Sequence, residues 1–142
     1  MPGGRGATPR QARREPQQEG RLIDALLEFH KGWAWVVIVA NGLAGVLALA
    51  AWRVPRLRSR WWVIATALAE VALLIQVTTG AVLVSDETIT TPRIHMFYGF
   101  VGFATVGLAY SSRDSMRGRL EMLYGLAGLF LMGIGIRAAI TR

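Results

Sequence analysis

The sequence has 142 residues, of which 53% are hydrophobic and 18% charged, with a formal net charge of +7 and no cysteine. A soluble domain of this length cannot bury so much apolar surface, so the composition excludes an ordinary soluble globular protein. The absence of cysteine excludes a disulfide framework and a thiolate metal site. The basic residues lie in the N-terminal segment, the connections and the helix ends, which is typical of membrane proteins and not of nucleic-acid binding.

The N-terminal segment, residues 1–20, is rich in Gly, Pro, Gln and Arg and has no apolar face. This composition predicts a disordered basic tail. We do not expect a cleavable signal peptide here, because no short apolar segment with a small-residue cleavage site follows. Residues 21–31 are different, because their apolar side chains fall on one side of a helix and their charges on the other. They predict an interfacial amphipathic helix that runs into the first membrane span. Its apolar face consists of Leu22, Ile23, Leu26, Leu27 and Phe29.

Four long apolar runs occupy the remaining segment, residues 32–142. At about 1.5 Å of rise per residue, a helix of about 20 residues spans the hydrocarbon core of a bilayer. The sequence therefore predicts an all-α integral membrane four-helix bundle with short connections, built as two parallel helical hairpins. The predicted spans are residues 33–52, 61–84, 94–110 and 120–140.

The charges of the connections predict the orientation. Connections 53–60 and 111–119 are rich in arginine, whereas the connection between spans two and three carries two acids and a single arginine. Short arginine-rich loops remain cytoplasmic, so we expect both termini outside, in a bacterial plasma membrane. The basic tail favours the opposite orientation, although most of its charges lie far from the first span.

Two stretches of the chain align without a gap: HKGWAWVVIVANGLA from His30 and HMFYGFVGFATVGLA from His95. Both have His, two residues, an aromatic, a small residue, an aromatic, Val, five residues and then Gly-Leu-Ala. The chain has two histidines, and each begins one copy. Spans one and three run parallel and lie diagonally across an up-and-down bundle, so the two imidazoles are expected at the same end and facing one another.

Each histidine begins a stripe of mostly small residues at helical spacing. The first stripe is His30, Ala34, Val37, Asn41 and Ala44, and the second is His95, Gly99, Gly102, Val106 and Ala109. Small residues allow close helix packing in lipid, and they also leave room for a flat macrocycle between helices.

This arrangement resembles the haem-binding helix pairs of membrane b-type cytochromes. The stretch LLIQVTTGAVL, followed by the helix that begins at His95, is similar to one half of haem A synthase, where a helix with Gln and Gly precedes a histidine helix. EFHKGWAWVVIVANGLAGVLAL resembles the other histidine helix of such a half, and GLFLMGIGIRA resembles the helix that ends in arginine. The helix order is permuted relative to that family, and its acidic active-site residue has no counterpart here, so the resemblance does not imply synthase activity.

The resemblance and the residues together predict one b-type haem per chain, ligated by two neutral imidazoles. Such a protein would transfer electrons, with a quinone or a redox partner protein, or handle haem. The predicted site consists of His30 and His95 as axial ligands, Gly99 and Gly102 beside the macrocycle, and Arg137 and Arg93, with Lys31 nearby, at the propionates. The alternative for Arg137 is an ion pair with Asp86 or Glu87, or extension to the headgroups. The alternative for the histidines is an ordinary interfacial position.

Glu70 lies inside the second span, where a charge is expensive, and suggests a proton-relay site with Asn41 and Gln76. Either amide could hydrogen-bond a protonated carboxyl, and a single buried glutamate in four spans resembles the small multidrug transporters, which act as dimers. Two further alternatives remain: a zinc site that adds Asp86 or Glu87 to the histidines, and a non-catalytic subunit of a membrane complex. The expected surroundings are a lipid bilayer and further copies of the chain, and not nucleic acid.

Overall fold

The structure is a computed structural model that describes the backbone of residues 9–142 and the side chains of residues 17–142. The described chain forms four long α-helices, and none of its residues is in a strand. Single turns of 3-10 helix lie in the first and third connections, at Pro55–Leu57 and Arg117–Arg119. The long helices are α1 (Pro9–Arg53), α2 (Arg60–Val84), α3 (Arg93–Ser112) and α4 (Leu120–Ile140).

All four helices are long and apolar enough to cross a membrane. The prediction of an all-α integral membrane four-helix bundle is confirmed, and the chain is a multi-pass membrane protein. The predicted limits of the second and fourth spans agree with α2 and α4 to within one residue. The third helix begins directly after Pro92, whose fixed backbone angle suits the position before a helix.

Helix α1 corrects the prediction for the N-terminal region. Pro9–Gly20 is helical and continues into residues 21–31 without a break, so neither the predicted tail nor the amphipathic segment is a separate element. Residues 1–8 lie outside the described part of the chain. Arg, Gln, Glu, Ala and Leu are good helix formers, and they extend a helix that the first span already nucleates. With 45 residues, α1 is about 67 Å long, roughly twice the hydrocarbon thickness, and its N-terminal part must lie beyond it.

The apolar face predicted for residues 21–31 is present on α1 and partly exposed. Leu22 is 69% exposed and Phe29 45% exposed. These side chains can enter the interfacial region of a bilayer, as expected of an amphipathic segment at the membrane surface.

The helices form a closed ring in chain order. Helix α1 packs extensively against α4 and α2, α3 packs mainly against α4, and α2 and α3 have the smallest contact of the four neighbouring pairs. Helices α1 and α3 therefore lie diagonally, as predicted. The end that holds both histidines is called the histidine end below. The opposite end, with the connections of residues 54–59 and 113–119, is called the arginine-rich end.

Close contact between α1 and α4 depends on glycine. An added Cβ at Gly45 would lie 2.8 Å from the backbone nitrogen of Leu129, and one at Gly128 would lie 2.9 Å from the backbone oxygen of Asn41. The two backbones thus touch at this crossing, as small residues permit in membrane bundles.

Helices α1 and α2 are joined by polar contacts at two depths. The Trp33 indole Nε1 donates a hydrogen bond to the Ala72 carbonyl at 2.9 Å. The Asn41 amide Nδ2 donates to the Val37 carbonyl at 2.9 Å and to the Ala69 carbonyl at 3.3 Å. Such bonds fix the rotation of one helix against the other in a solvent that offers no hydrogen bonds.

An apolar cluster fills the middle of the bundle. Both predicted stripes face inward, with Asn41, Ala44, Val106 and Ala109 buried, whereas many large apolar side chains point outward toward lipid. This apolar layer consists of Val37, Ala72, Leu73, Val106 and Leu131, with Trp33 and Val77 packed against it.

Candidate functional site

The two histidines meet across the diagonal of the bundle. The ring centroids of His30 and His95 are 6.1 Å apart, and the ring planes are inclined at 65°. His30 is buried and His95 is half-buried. The sequence prediction that the two imidazoles lie at one end and face one another is therefore correct.

His95 is oriented by helix α4. Its Nδ1 lies 2.9 Å from the carbonyl oxygen of Ala138, which can only accept a hydrogen bond. Nδ1 therefore carries the proton, and Nε2 of the neutral ring retains its lone pair. A histidine that ligates a metal is held in the same way, with its other ring nitrogen bonded to a carbonyl.

His30 is held by Gln76 of α2. The Gln76 amide Nε2 donates to the backbone oxygen of His30 at 3.1 Å and lies 3.2 Å from its ring Nε2. Two buried atoms of this contact have no partner, His30 Nδ1 and Gln76 Oε1. Each unpaired polar atom costs about 1–3 kcal/mol, so a bound group that reached either of them would recover that cost.

The His30 ring rests directly on Gly80, one turn beyond Gln76. An added Cβ at Gly80 would lie 2.9 Å from His30 Cε1, closer than real Cβ contacts allow. Glycine is thus required here for the imidazole to enter the interface between α1 and α2. Gly80 is the glycine of the stretch LLIQVTTGAVL, which also contains Gln76, and the side chain that packs against it is His30.

The separation of the two ring centroids is compatible with a bis-histidine haem. Metal–nitrogen bonds of about 2 Å on both faces of an iron place two imidazole centroids roughly 6 Å apart, which agrees with the 6.1 Å observed. Gly99 and Gly102, the two glycines predicted to lie beside the macrocycle, differ in the free space around them. An added Cβ at Gly99 would meet nothing within 4 Å, whereas Leu73 and Leu131 lie against the Gly102 position at 3.7 and 3.9 Å. The space beside α3 is open one turn below His95 and filled one turn further down.

The cations expected at the propionates have different surroundings. Arg93 and Arg137 are both exposed, and neither forms an ion pair with a described residue. The alternative ion pair of Arg137 with Asp86 or Glu87 is therefore not formed among the described residues, which leaves extension toward the headgroups as the other alternative. Lys31 is paired with Glu28 at 2.9 Å, within its own helix. The cation that bridges two elements here is Arg142, whose Nη1 donates to the Lys31 carbonyl at 3.2 Å.

The zinc alternative does not form. No group of three or more His, Asp or Glu side chains in the described chain is placed to hold a metal ion. Asp86 instead accepts a hydrogen bond from the backbone nitrogen of Thr88 at 2.9 Å. This contact lowers the pKa of the Asp86 carboxyl, because the Thr88 hydroxyl and backbone N–H both stabilise its charged form.

Glu70 forms a second polar site, nearer the arginine-rich end. It is buried, and neither Asn41 nor Gln76 hydrogen-bonds it, because Asn41 bonds backbone carbonyls and Gln76 bonds His30. The expected amide–carboxyl bond is therefore absent, although Asn41 and Glu70 line the same small cavity. Tyr124 lines the same cavity as Glu70, and the ring of Tyr110 packs edge to face against that of Tyr124.

Sequence reasoning missed these tyrosines because they lie near helix ends that only the bundle brings toward Glu70. Tyr110 is close to the end of α3 and Tyr124 is in the second turn of α4. A signal was available, since both flank the third connection and aromatic residues at such positions usually mark a membrane interface. The side chain of Tyr124 reaches inward from there to the cavity beside Glu70.

The fold and its two buried polar sites define a small multi-pass helical membrane protein with a histidine pair at one end. Comparison with protein-family models, with curated proteins and with solved structures finds no match to this chain. The resemblance to b-type cytochromes and to half of haem A synthase thus stays a prediction from the residues.

Proposed function

We propose that the chain binds one b-type haem between His30 and His95, and that it transfers electrons or handles haem in a membrane. The observation that carries this proposal is the 6.1 Å separation of two imidazoles contributed by diagonal helices. The orientation of His95 by the Ala138 carbonyl supports it, since that bond leaves Nε2 free as a ligand.

In this proposal each residue of the site has a separate task. His30 and His95 ligate the iron from opposite faces, and Gln76 keeps His30 in position through its bond to the backbone oxygen. Gly99 provides space beside the macrocycle, and Arg93 and Arg137 are available for the propionates at the histidine end. Bound haem would supply one-electron chemistry, and a single haem near one face suits exchange with a quinone or a redox partner at that face.

The test is an absorption spectrum of the chain, purified in detergent after expression with ample haem. We expect a Soret band and, on reduction, sharp α and β bands of a six-coordinate low-spin haem. His30→Ala and His95→Ala should each lose that low-spin spectrum, whereas Glu70→Gln should keep it. Circular dichroism and size-exclusion chromatography verify that each variant is folded. His95→Met serves as a second variant that can retain a sixth ligand and shift the midpoint potential upward.

A folded wild-type chain without a Soret band would refute haem binding. The two other interpretations would then be compared. Proton-linked export that requires Glu70 would indicate a transporter, and a chain without spectroscopic or transport activity would indicate an accessory subunit of a membrane complex.

We further propose a bacterial plasma membrane as the location, with the arginine-rich end in the cytoplasm and both termini outside. The support is the arginine content of connections 53–60 and 111–119. Because the chain has no cysteine, single-cysteine variants report the orientation directly. An impermeant maleimide added to intact cells should label Thr90→Cys and leave Ser59→Cys unlabelled. The reverse labelling pattern would show that the chain has the opposite orientation.

A further inference from the structure

We propose that Glu70 is a proton-binding site within the membrane that exchanges its proton with the arginine-rich end and is closed from the histidine end by the apolar layer. The inference is independent of haem, because it concerns a different set of side chains.

A small cavity adjoins Glu70 inside the bundle. The volume that the centre of a water molecule can occupy in it is about 10 Å³, close to the minimum needed for a single water. Four polar side chains line it, and one of them, Thr66, has a buried hydroxyl oxygen without a hydrogen-bond partner. A cavity of this size with several polar neighbours is the kind of site that holds one ordered water. The polar residues of the lining are Asn41, Thr66, Glu70 and Tyr124.

The Glu70 carboxyl has no counter-charge. Its residue is 7% exposed, and it forms no ion pair with any described residue. The polar side chains that line this cavity from the other helices are both neutral, Asn41 of α1 and Tyr124 of α4. An unpaired carboxylate at this depth is costly, so the group is expected to hold a proton for much of the time and to release it only when an acceptor is within reach.

Polar groups connect Glu70 with the arginine-rich end. Tyr124 lines the cavity beside Glu70, and the neighbouring Tyr110 is 48% exposed and so reaches the surface of the bundle. Its ring meets that of Tyr124 edge to face at a centroid distance of 6.2 Å. Arg113, directly after α3, is a charged residue at this end of the bundle. Hydroxyl groups and one water arranged in a row can carry a proton between the surface and the carboxyl.

On the other side of Glu70 the bundle is apolar. Ala72 and Leu73 follow on the same helix, and Leu73 packs with Val106 of α3 and Leu131 of α4 in the apolar layer. The next polar group on α2 that points inward is Gln76, which is already bonded to His30. Protons are not expected to cross a packed layer without polar groups or water, so the site has access from one side only. A transporter would have to open this layer in each cycle.

A hydrophobic carbodiimide tests the proposal, because it reacts with protonated carboxyl groups in membranes and leaves ionised ones largely intact. In the reaction the acid O–H adds across one C=N bond of the reagent, and the acyl group then migrates to nitrogen to give a stable N-acylurea without a leaving group. The wild-type chain in liposomes is treated at neutral pH and mapped by mass spectrometry. We expect modification at Glu70.

Glu121 is the matched control within the same chain. It lies in the first turn of α4 with a side chain only 15% exposed, and its Oε1 is 3.4 Å from Nε of Arg58. Because its carboxylate is paired with Arg58, we expect Glu121 to remain unmodified. Glu70→Gln should lose the modification entirely. A folded wild-type chain in which Glu70 is unmodified at every pH would overturn the proposal.

The direction of access is tested with liposomes that contain the chain in one orientation, assigned with Ser59→Cys and Thr90→Cys. The pH is raised on one side at a time before the carbodiimide is added. Modification of Glu70 should fall when the pH rises at the arginine-rich end and should stay constant when it rises at the histidine end. Dependence on the histidine end, or on both ends equally, would contradict one-sided access.

Discussion

The rings of His30 and His95 lie 6.1 Å apart, although among the described residues helices α1 and α3 are not neighbours that pack along their length. The pair is maintained from outside, by Gln76 on one side and the Ala138 carbonyl on the other. Its geometry therefore depends on α2 and α4 rather than on the helices that carry the histidines. Substitutions on α2 should test this dependence without removing either imidazole.

Gly80→Ala should displace the His30 ring. The added Cβ would be 2.9 Å from His30 Cε1, and the ring is bonded to Gln76 and cannot simply rotate away. We expect a loss of about 1–3 kcal/mol in unfolding free energy, as for other overpacked sites. Gly99→Ala is the control, because its Cβ would meet nothing within 4 Å. Unfolding in mixed detergent and the imidazole NMR signals of His30 measure both effects, and equal behaviour of the two variants would count against the packing described.

Gln76→Leu should release His30 while preserving the size of the side chain. The change removes the bonds to the His30 carbonyl at 3.1 Å and to its ring at 3.2 Å, which leaves a buried ring nitrogen unpaired. We expect a cost of about 1–3 kcal/mol and, if haem is bound, an affinity roughly 10–100 times weaker. Thr79→Val is the matched control, since Thr79 is buried on the same helix but bonds only its own Ile75 carbonyl. Thermal unfolding and haem titration give the two quantities.

The spans and the meeting of the histidines could be predicted because hydropathy and chain connectivity determine them. Parallel spans with short connections place His30 and His95 at equal depth whatever the detailed packing. Rotation of a helix about its axis is different, since it is fixed by contacts such as Trp33 with Ala72 and Asn41 with Ala69. The assignment of Gln76 to Glu70 failed for a simpler reason, because the two side chains are six residues apart on α2, about 9 Å along its axis and on different faces.

The extent of α1 was also beyond prediction. Polar residues that lack an apolar face carry no signal for tertiary packing, and they extend the helix only because the first span after them is already helical. The same limit applies to Tyr110 and Tyr124, since the sequence marks them as interfacial but does not show that they pack together beside the Glu70 cavity.

Gly45→Ala should separate α1 from α4. Its Cβ would lie 2.8 Å from the Leu129 nitrogen and 2.9 Å from the Gly125 oxygen, and backbone atoms cannot move aside as a side chain can. We expect a loss of about 1–3 kcal/mol in unfolding free energy. Gly107→Ala has open space at its Cβ and should be neutral or stabilising by up to about 1 kcal/mol through helix propensity. Destabilisation by both variants to the same degree would show that the contact at Gly45 is not specific.

The turn at Asp86 should depend on pH. Hydrogen bonds from the Thr88 hydroxyl and backbone N–H lower the pKa of Asp86, so the turn is stabilised above the ordinary carboxyl pKa and loses this contribution as the pH falls through the lowered value. Asp86→Asn should reduce hydrogen-exchange protection of the Thr88 amide at neutral pH, and the difference from wild type should vanish in acid. Glu87→Gln changes a neighbouring exposed carboxyl and should leave the protection unaltered. A difference for Asp86→Asn that persists in acid would point to another cause.

Asn41→Leu should weaken the contact between α1 and α2 at the level of the Glu70 cavity. Asn41 is 2% exposed, and its amide bonds carbonyls of both helices, so leucine removes an interhelical hydrogen bond at nearly constant volume. Interhelical bonds of this kind contribute about 0.5–2 kcal/mol in membranes. Thr105→Val is the control, because Thr105 bonds only the Val101 carbonyl of its own helix at 2.7 Å. Unfolding in mixed detergent should distinguish the two. If Asn41→Leu left the unfolding free energy unchanged, the amide would not contribute to helix packing. Its role would then lie in the small cavity beside Glu70, and carbodiimide modification of Glu70 should differ between this variant and the wild type.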